Sequence, residues 1–316
     1  MSGDFFLTTW FFLGMRWIYE NLTAQNVFLT ILICTIVLRA LTFFSDLKTR
    51  KSTAKMAAIQ PEIQKIQKKY KNDPRMAQQA QAKLMKEQGV SMWGSCLPML
   101  ITMPLFFCFI AAFRFWGCEQ MIQAILEVHD TGSTQMFESF RFLWISNIWQ
   151  ADNGALPVVM EAKQFFASVS NMQNLIYFKE NPAALEAFKN LGLIIENTSN
   201  IPQTAIDTYN NLTAPFLELY PGKNNGWFLL PILAGGSNFL SAWLMQKSQP
   251  KIEGQAAGGG KMMMYIFPIM SFIFCLTNNS AFAIYWTLSS VLMIVTNLLL
   301  NKKFPRTVPV EGSQRS

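Results

Sequence analysis

Five stretches of this chain are apolar enough to cross a lipid bilayer, and they constrain every fold open to it: Val27–Phe44, Ser95–Trp116, Trp227–Met245, Met262–Thr277 and Ala281–Leu300. A helix rises 1.5 Å per residue, so about 20 apolar residues are needed for a hydrocarbon core of roughly 30 Å. The fourth stretch is short: its sixteen residues reach roughly 24 Å, which calls for flanking residues or a locally thinned bilayer. Charged residues make up only 14% of the chain, against about 25% in a soluble domain. The expected class is therefore an all-α, polytopic membrane protein with five transmembrane helices.

Charge orders the connecting segments. Residues 45–94 hold eleven Lys and Arg against four acids, whereas residues 117–226 are acidic. Residues 246–261 carry Lys247, Lys251 and Lys261, and the tail, 301–316, carries Lys302, Lys303, Arg306 and Arg315. Basic segments stay on the cytoplasmic side. The expected layout has residues 1–26 outside, a first span at 27–44, a basic hairpin at 45–94 and a second span at 95–116. An outer segment at 117–226 follows, then a third span at 227–245, a cytoplasmic loop, the last two spans within 262–300, and a cytoplasmic tail.

The opening "FFLTTWFFLGMRWIY" has neither a basic start nor a small-residue cleavage site, so it does not read as a signal peptide. Its aromatics suit a helix lying in the outer interface; a core-packed helix or half-span is the alternative.

Residues 52–89 read as a helical hairpin. Met56, Ile59, Ile63, Ile66 and Tyr70 recur at spacings of three and four, the seam of a paired helix. Lys55 and Gln60 flank that seam, and Pro61 is expected to kink or restart the helix. Asp73 is placed to cap the second helix, with Pro74 at its first position and Gly89 past its end. Met76, Ala80 and Leu84 form the facing stripe. The basic outer faces fit a solvated surface beside anionic lipid or a dock for an acidic partner such as ribosomal RNA.

The chain lacks the spacings of common reactive chemistries. Among its five cysteines there is no CxxC, and there is no Gly-rich phosphate loop, GxSxG or HExxH; His129 is the lone histidine. The cysteines read as small buried hydrophobes. No metal, cofactor or catalytic residue is expected, nor any specific DNA partner.

The residue that asks for a function is Arg39, inside "TILICTIVLRALTFF". A charge in such a run costs several kcal/mol, roughly 2.5–3.5 on the lenient scales. On a helix, Thr35, Arg39, Thr42 and Asp46 share one face, a polar stripe pointing toward the cytoplasmic end. Snorkelling of the long side chain to the headgroups is the plain explanation; a polar groove is the other.

Several blocks together resemble the YidC-type membrane protein insertases: "IVLRALTFF", "KMAAIQPEIQKIQKKYKND", "GVSMWGSCLPMLITMPLFF", "FLWISNIWQADNG", "LLPILAGGSNFL", "YIFPIM" and "AIYWTLSSVLMIVTNLLL". They cover most of the chain outside residues 155–225. The resemblance is to a bacterial member without the large outer domain. It implies a non-enzymatic insertase of the bacterial plasma membrane, with Arg39 in a groove open to cytosol and lipid. Thr35, Thr42, Thr102, Ser237, Asn238, Ser241, Tyr285 and Trp286 are the other expected groove positions. For Ser237, Asn238 and Ser241 helix packing is the rival explanation, and for Tyr285 and Trp286 an aromatic belt. The implied partners are client membrane proteins and the bilayer, with the ribosome and the Sec translocon as further candidates. The sequence departs from the family at Thr102, where a glutamine is usual, at Ser280–Ala283, which replaces a Pro-x-Gly-Leu, and in the insert at 155–225. An anion transporter or channel using Arg39 as its site is the rival from another class; the five unequal spans show no internal repeat of the kind such transporters carry.

Overall fold

The computed structural model describes residues 6–89, 93–169, 175–247 and 258–303. Twelve helices and two short strands run through them: α1 (Phe6–Asn21), α2 (Val27–Lys69), α3 (Pro74–Glu87), α4 (Trp93–Thr131), α5 (Gln135–Glu138), β1 (Asn153–Pro157), α6 (Ala162–Ser168), α7 (Ile176–Glu180), α8 (Pro182–Asn190), α9 (Gln203–Glu218), β2 (Asn224–Asn225), α10 (Leu229–Lys247), α11 (Gly258–Thr277) and α12 (Ser280–Lys303). The described residues are thus mostly helical, with one antiparallel strand pair, β1 with β2. Two compact units arise, one from residues 1–32, 106–234 and 271–287, the other from 33–105, 235–270 and 288–316.

The first unit has an aromatic core. Trp116 meets Trp149 at 4.9 Å between ring centroids, Phe137 stacks on Phe216 at 4.2 Å, and Phe165 stacks on Tyr209 at 4.6 Å. Phe165, Phe216 and Tyr209 belong to the insert, and all three are buried. The described parts of the insert are therefore packed into this unit. Its helical pieces "MEAKQFFASVS" and "NPAALEAFKN" contain α6 and α8.

A buried carboxylate ties the two ends of the insert together. Asp152 is wholly buried and accepts from the backbone N–H groups of Trp227 (2.7 Å), Phe228 (3.0 Å) and Leu230 (2.7 Å), and from the indole of Trp144 (3.1 Å). These N–H groups lie at the start of α10, where a helix has no internal acceptors to offer. Asn225, also fully buried, accepts from the Asn147 N–H and donates to the carbonyls of Asn147 and Ala151. Gly226 sits between them at φ +82°, and a Cβ there would collide with the Asp152 carboxylate.

In the second unit α2 continues past residue 44 without a break, so the first apolar stretch and the first hairpin helix are one 43-residue element. Of the two outcomes expected at Pro61, a kink or a restart, the helix does not restart: Pro61 lies inside α2. Pro61 is exposed, while Ile59 and Ile63 on either side are buried. Those two pack against Leu84 and Met85 of α3. The seam is shorter than the spacing suggests: Ile66 and Tyr70 are half-buried and Met76 is exposed. Asp73 caps α3 by accepting from the N–H groups of Arg75 and Met76, and Pro74 takes the first position. Gly89 adopts φ +61° just past its end. Helix α4 likewise outruns its apolar stretch, reaching Thr131.

Among the described residues, the helical stretches Val27–Phe44 and Ser280–Leu300 are long and apolar enough to cross a membrane, and Met264–Thr277 is apolar but shorter. Leu41 and Phe44 of α2, Ile232 of α10, Ile269 of α11 and Leu299 of α12 are more than half exposed. Water would reject such faces; lipid is the solvent that accepts them.

Candidate functional site

The polar residues of the second unit converge on two neighbouring serines. Arg39 of α2 directs Nη2 at Ser289 of α12, donating to its carbonyl at 2.9 Å and to its hydroxyl at 2.6 Å. On the next residue, the Ser290 hydroxyl accepts from Nδ2 of Asn238 in α10 at 3.0 Å. Arg39 and Ser289 are half-buried, whereas Asn238 and Ser290 are buried. Three otherwise apolar helices thus meet at a polar junction.

The local reasons are simple. An α-helix already satisfies its own backbone, so a second carbonyl lone pair and a hydroxyl are what a serine inside it can offer a foreign donor. A guanidinium carries five N–H donors. The two bonds from Nη2 occupy one nitrogen, and among the described residues neither Nε nor Nη1 of Arg39 has a bonding partner and no carboxylate pairs with it. Among the described residues the positive charge is held in place but meets no carboxylate.

The other expected groove positions divide. Thr35, one turn before Arg39, is completely buried. Thr42 is exposed, and its hydroxyl donates back to the Arg39 carbonyl at 3.3 Å. Ser241 lies one turn after Asn238 at 3% exposure, and its hydroxyl has no partner among the described residues. Ser237 is half-buried. The side chains of Thr102, Asp46 and Met56 lie outside the described residues, as do their contacts. Lys55 is exposed and Gln60 half-buried on the hairpin.

Tyr285 and Trp286 belong to the first unit, where they pack in an aromatic stack. Tyr285 lies parallel to Phe109 at 5.2 Å, and Trp286 meets Phe106 at 4.9 Å and Phe282 at 5.7 Å. Both keep partial exposure. At the head of the same helix, Ser280 and Ala281 direct their N–H groups to the carbonyls of Gln150 and Ile148, and Asn279 donates to the Phe113 carbonyl at 2.9 Å.

Sequence reading singled out Arg39 and Asn238 but not Ser289 and Ser290, which bond to them here. The signal was present as two adjacent hydroxyls within "YWTLSSVLMIV". What it lacked was a partner, because the Arg39–Ser289 bond spans 250 residues. Among the described residues no group of His, Cys, Asp and Glu side chains is arranged to hold a metal.

The chain is similar to proteins of one known family. The family model described as 60Kd inner membrane protein matches residues 17–307. The chain is 35% identical over 142 residues to the membrane protein insertase YidC of Clostridium perfringens, covering 45% of this chain and 52% of that relative. It is 32% identical over 139 residues to the protein of the same name from Clostridium tetani, covering 44% and 54%. A third YidC, from Chlorobium luteolum, aligns over 283 residues at 23% identity, covering 90% of this chain and 34% of the relative. The chain spans about half the length of the two clostridial relatives that it matches. With a family model matched along nearly all of its sequence, this apolar, helical membrane protein belongs to the 60Kd inner membrane protein family, that of the YidC-type membrane protein insertases.

Proposed function

We propose that this chain inserts client proteins into the bacterial plasma membrane, without chemistry, through a polar groove open to cytosol and lipid. The observation that carries the proposal is the Arg39 guanidinium: half-buried in an apolar helix, fixed through one nitrogen on Ser289, with no partner for its other donors and no paired carboxylate among the described residues. A hydrophilic client tail or loop enters from the cytosolic side, and Arg39 attracts its acidic residues. Asn238, Ser241 and Ser290 offer hydrogen bonds to its backbone, which cannot enter hydrocarbon unpaired. The client's apolar helix then leaves along exposed faces of α10 and α12 into lipid. Its burial, with the membrane potential acting on acidic tails, drives the step.

In this reading the chain has five spans, its N-terminus outside and its C-terminus inside. Segment 45–94 is a cytoplasmic hairpin, and α1, which exposes Phe6, Trp10, Leu13 and Trp17 along one stripe, lies in the outer interface. The ribosome and the Sec translocon are proposed partners on the basic cytoplasmic side.

Proteoliposomes containing the purified chain test the reading against its rival. Insertion of a small single-span client, scored by protease protection, is the expected result, with no chloride flux above empty vesicles. Chloride flux without insertion would assign Arg39 to an anion path instead.

A further inference from the structure

Away from the Arg39 junction, the first unit contains an ionic cluster that the proposed insertion step does not use. Arg16 of α1 faces three carboxylates on three elements. Nη1 lies 3.4 Å from Glu119 of α4, Nε lies 3.5 Å from Glu20 of α1, and Nη2 pairs with Glu180 of α7. Glu119 is 5% exposed. Gln123, one turn on, donates to its other oxygen at 3.5 Å. Tyr19 of α1 and Tyr177 of α7 also face it. Burial first, then the neighbouring carboxylates, raises both phenols, so they stay neutral.

One cation among three carboxylates leaves the cluster short of positive charge, and the most buried carboxylate is where a proton relieves both desolvation and repulsion. Burial, as the largest influence, pushes Glu119 up to about 7, although Arg16 pulls it down; Glu180 and Glu20 push it further up. Burial also works against the charge on Arg16, yet its hydrogen bond to Glu180 and its attraction to Glu119, Glu180 and Glu20 together raise it. Arg16 therefore remains charged while Glu119 titrates.

We propose that Glu119 is a proton-binding site whose occupancy couples the docking of α1 and of the insert helix α7 onto α4 to the acidity of the surrounding solution. When α1 and α7 lift away, Glu119 meets water and returns toward its ordinary value of 4.5. Closing the junction therefore takes up a proton between these two values. The folded-state value is the raised one, so the stabilising contribution is complete below 4.5 and is lost as the pH rises through about 7. The junction is tight in mild acid and looser at neutral and alkaline pH, with Arg16 and Glu180 then holding the insert helix to α1. This device sits in the unit that carries the insert, so its operation does not depend on the insertase reading.

Hydrogen exchange on the full chain in lipid nanodiscs, corrected for the intrinsic pH dependence of exchange, tests it. Amides of α1 and α7 should lose protection by about tenfold per pH unit between pH 5 and 7, then level off. Those of α9 should change little over that range. Glu119→Gln, which mimics the protonated group, should keep α1 and α7 protected at pH 8 and flatten the profile. A wild-type profile that is flat, or that rises with pH, would overturn the proposal. Infrared difference titration gives an independent check: a protonated carboxyl band absent from Glu119→Gln should titrate near neutrality. A band that titrates below pH 5 would equally overturn it.

Discussion

Arg39 and Ser289 are 250 residues apart and joined twice, through the serine's carbonyl at 2.9 Å and its hydroxyl at 2.6 Å, both from one guanidinium nitrogen. The double contact fixes where the charge sits. A snorkelling arginine reaches for headgroups and needs no such anchor; this one is held against a neighbouring helix. Ser289→Ala, which removes the hydroxyl and leaves the carbonyl, tests the anchoring separately from the charge.

The Asp152 clamp should govern stability. Asp152→Ala leaves three backbone N–H groups and an indole without their acceptor, at a cost on the order of 3 kcal/mol or more. Asp152→Asn keeps one acceptor oxygen but turns an amide toward two donors, so it should be destabilising as well. Gly226→Ala collides with the same carboxylate and sits at positive φ. The double variant Asp152→Ala/Gly226→Ala should therefore lose less than the sum of the singles. Thermal unfolding in detergent, followed by tryptophan fluorescence, measures all of these; additive losses would mean that the carboxylate and Gly226 are not in contact.

The hairpin should depend on two residues more than on its charge. Ile63 is 4% exposed against Leu84 and Met85, so Ile63→Asp buries an unpaired charge at a cost of several kcal/mol. Ile66 is only half-buried, and Ile66→Asp should do less damage. Lys68, which is exposed, should tolerate alanine with little loss of insertion. Equal damage from Ile63→Asp and Lys68→Ala in an insertion assay would favour electrostatic docking over seam packing.

Much of the local structure was legible in the sequence, for physical reasons. The Asp73 cap, the Pro74 start and the Ile59–Ile63 seam are set by residues within a few turns of one another, and spacing exposes them. Pro61 does not restart the helix, and buried isoleucines on either side, Ile59 and Ile63, pack as one run of α2. The Asp152 clamp was not legible: its three backbone partners lie about seventy-five residues away across the insert. The insert stacks Phe216 on Phe137, so removing it would bare part of the core. Arg16 and Glu119, 103 residues apart, were hidden for the same reason.

Orientation can be read with introduced cysteines. Lys69 and Asn197 are both exposed, and the native Cys34, Cys108 and Cys275 are buried. An impermeant thiol reagent applied to intact cells should label a cysteine at Asn197 and spare one at Lys69. The reverse pattern would place the basic hairpin outside and contradict a cytosolic entry to the groove.

The most direct measurement is insertion by the reconstituted chain of two clients that differ only in whether the translocated tail is acidic or neutral. Arg39→Lys should keep most activity, since an ammonium can still act as a point charge. Arg39→Ala should lose the acidic-tailed client by tenfold or more, equivalent to about 1.4 kcal/mol, while sparing the neutral one, and Arg39→Glu should be worse for the acidic tail through repulsion. High salt should weaken the wild type only in part, because a sheltered charge is screened less than a surface one. An Arg39→Ala protein that inserts the acidic-tailed client at the wild-type rate, at equal expression, would contradict the account.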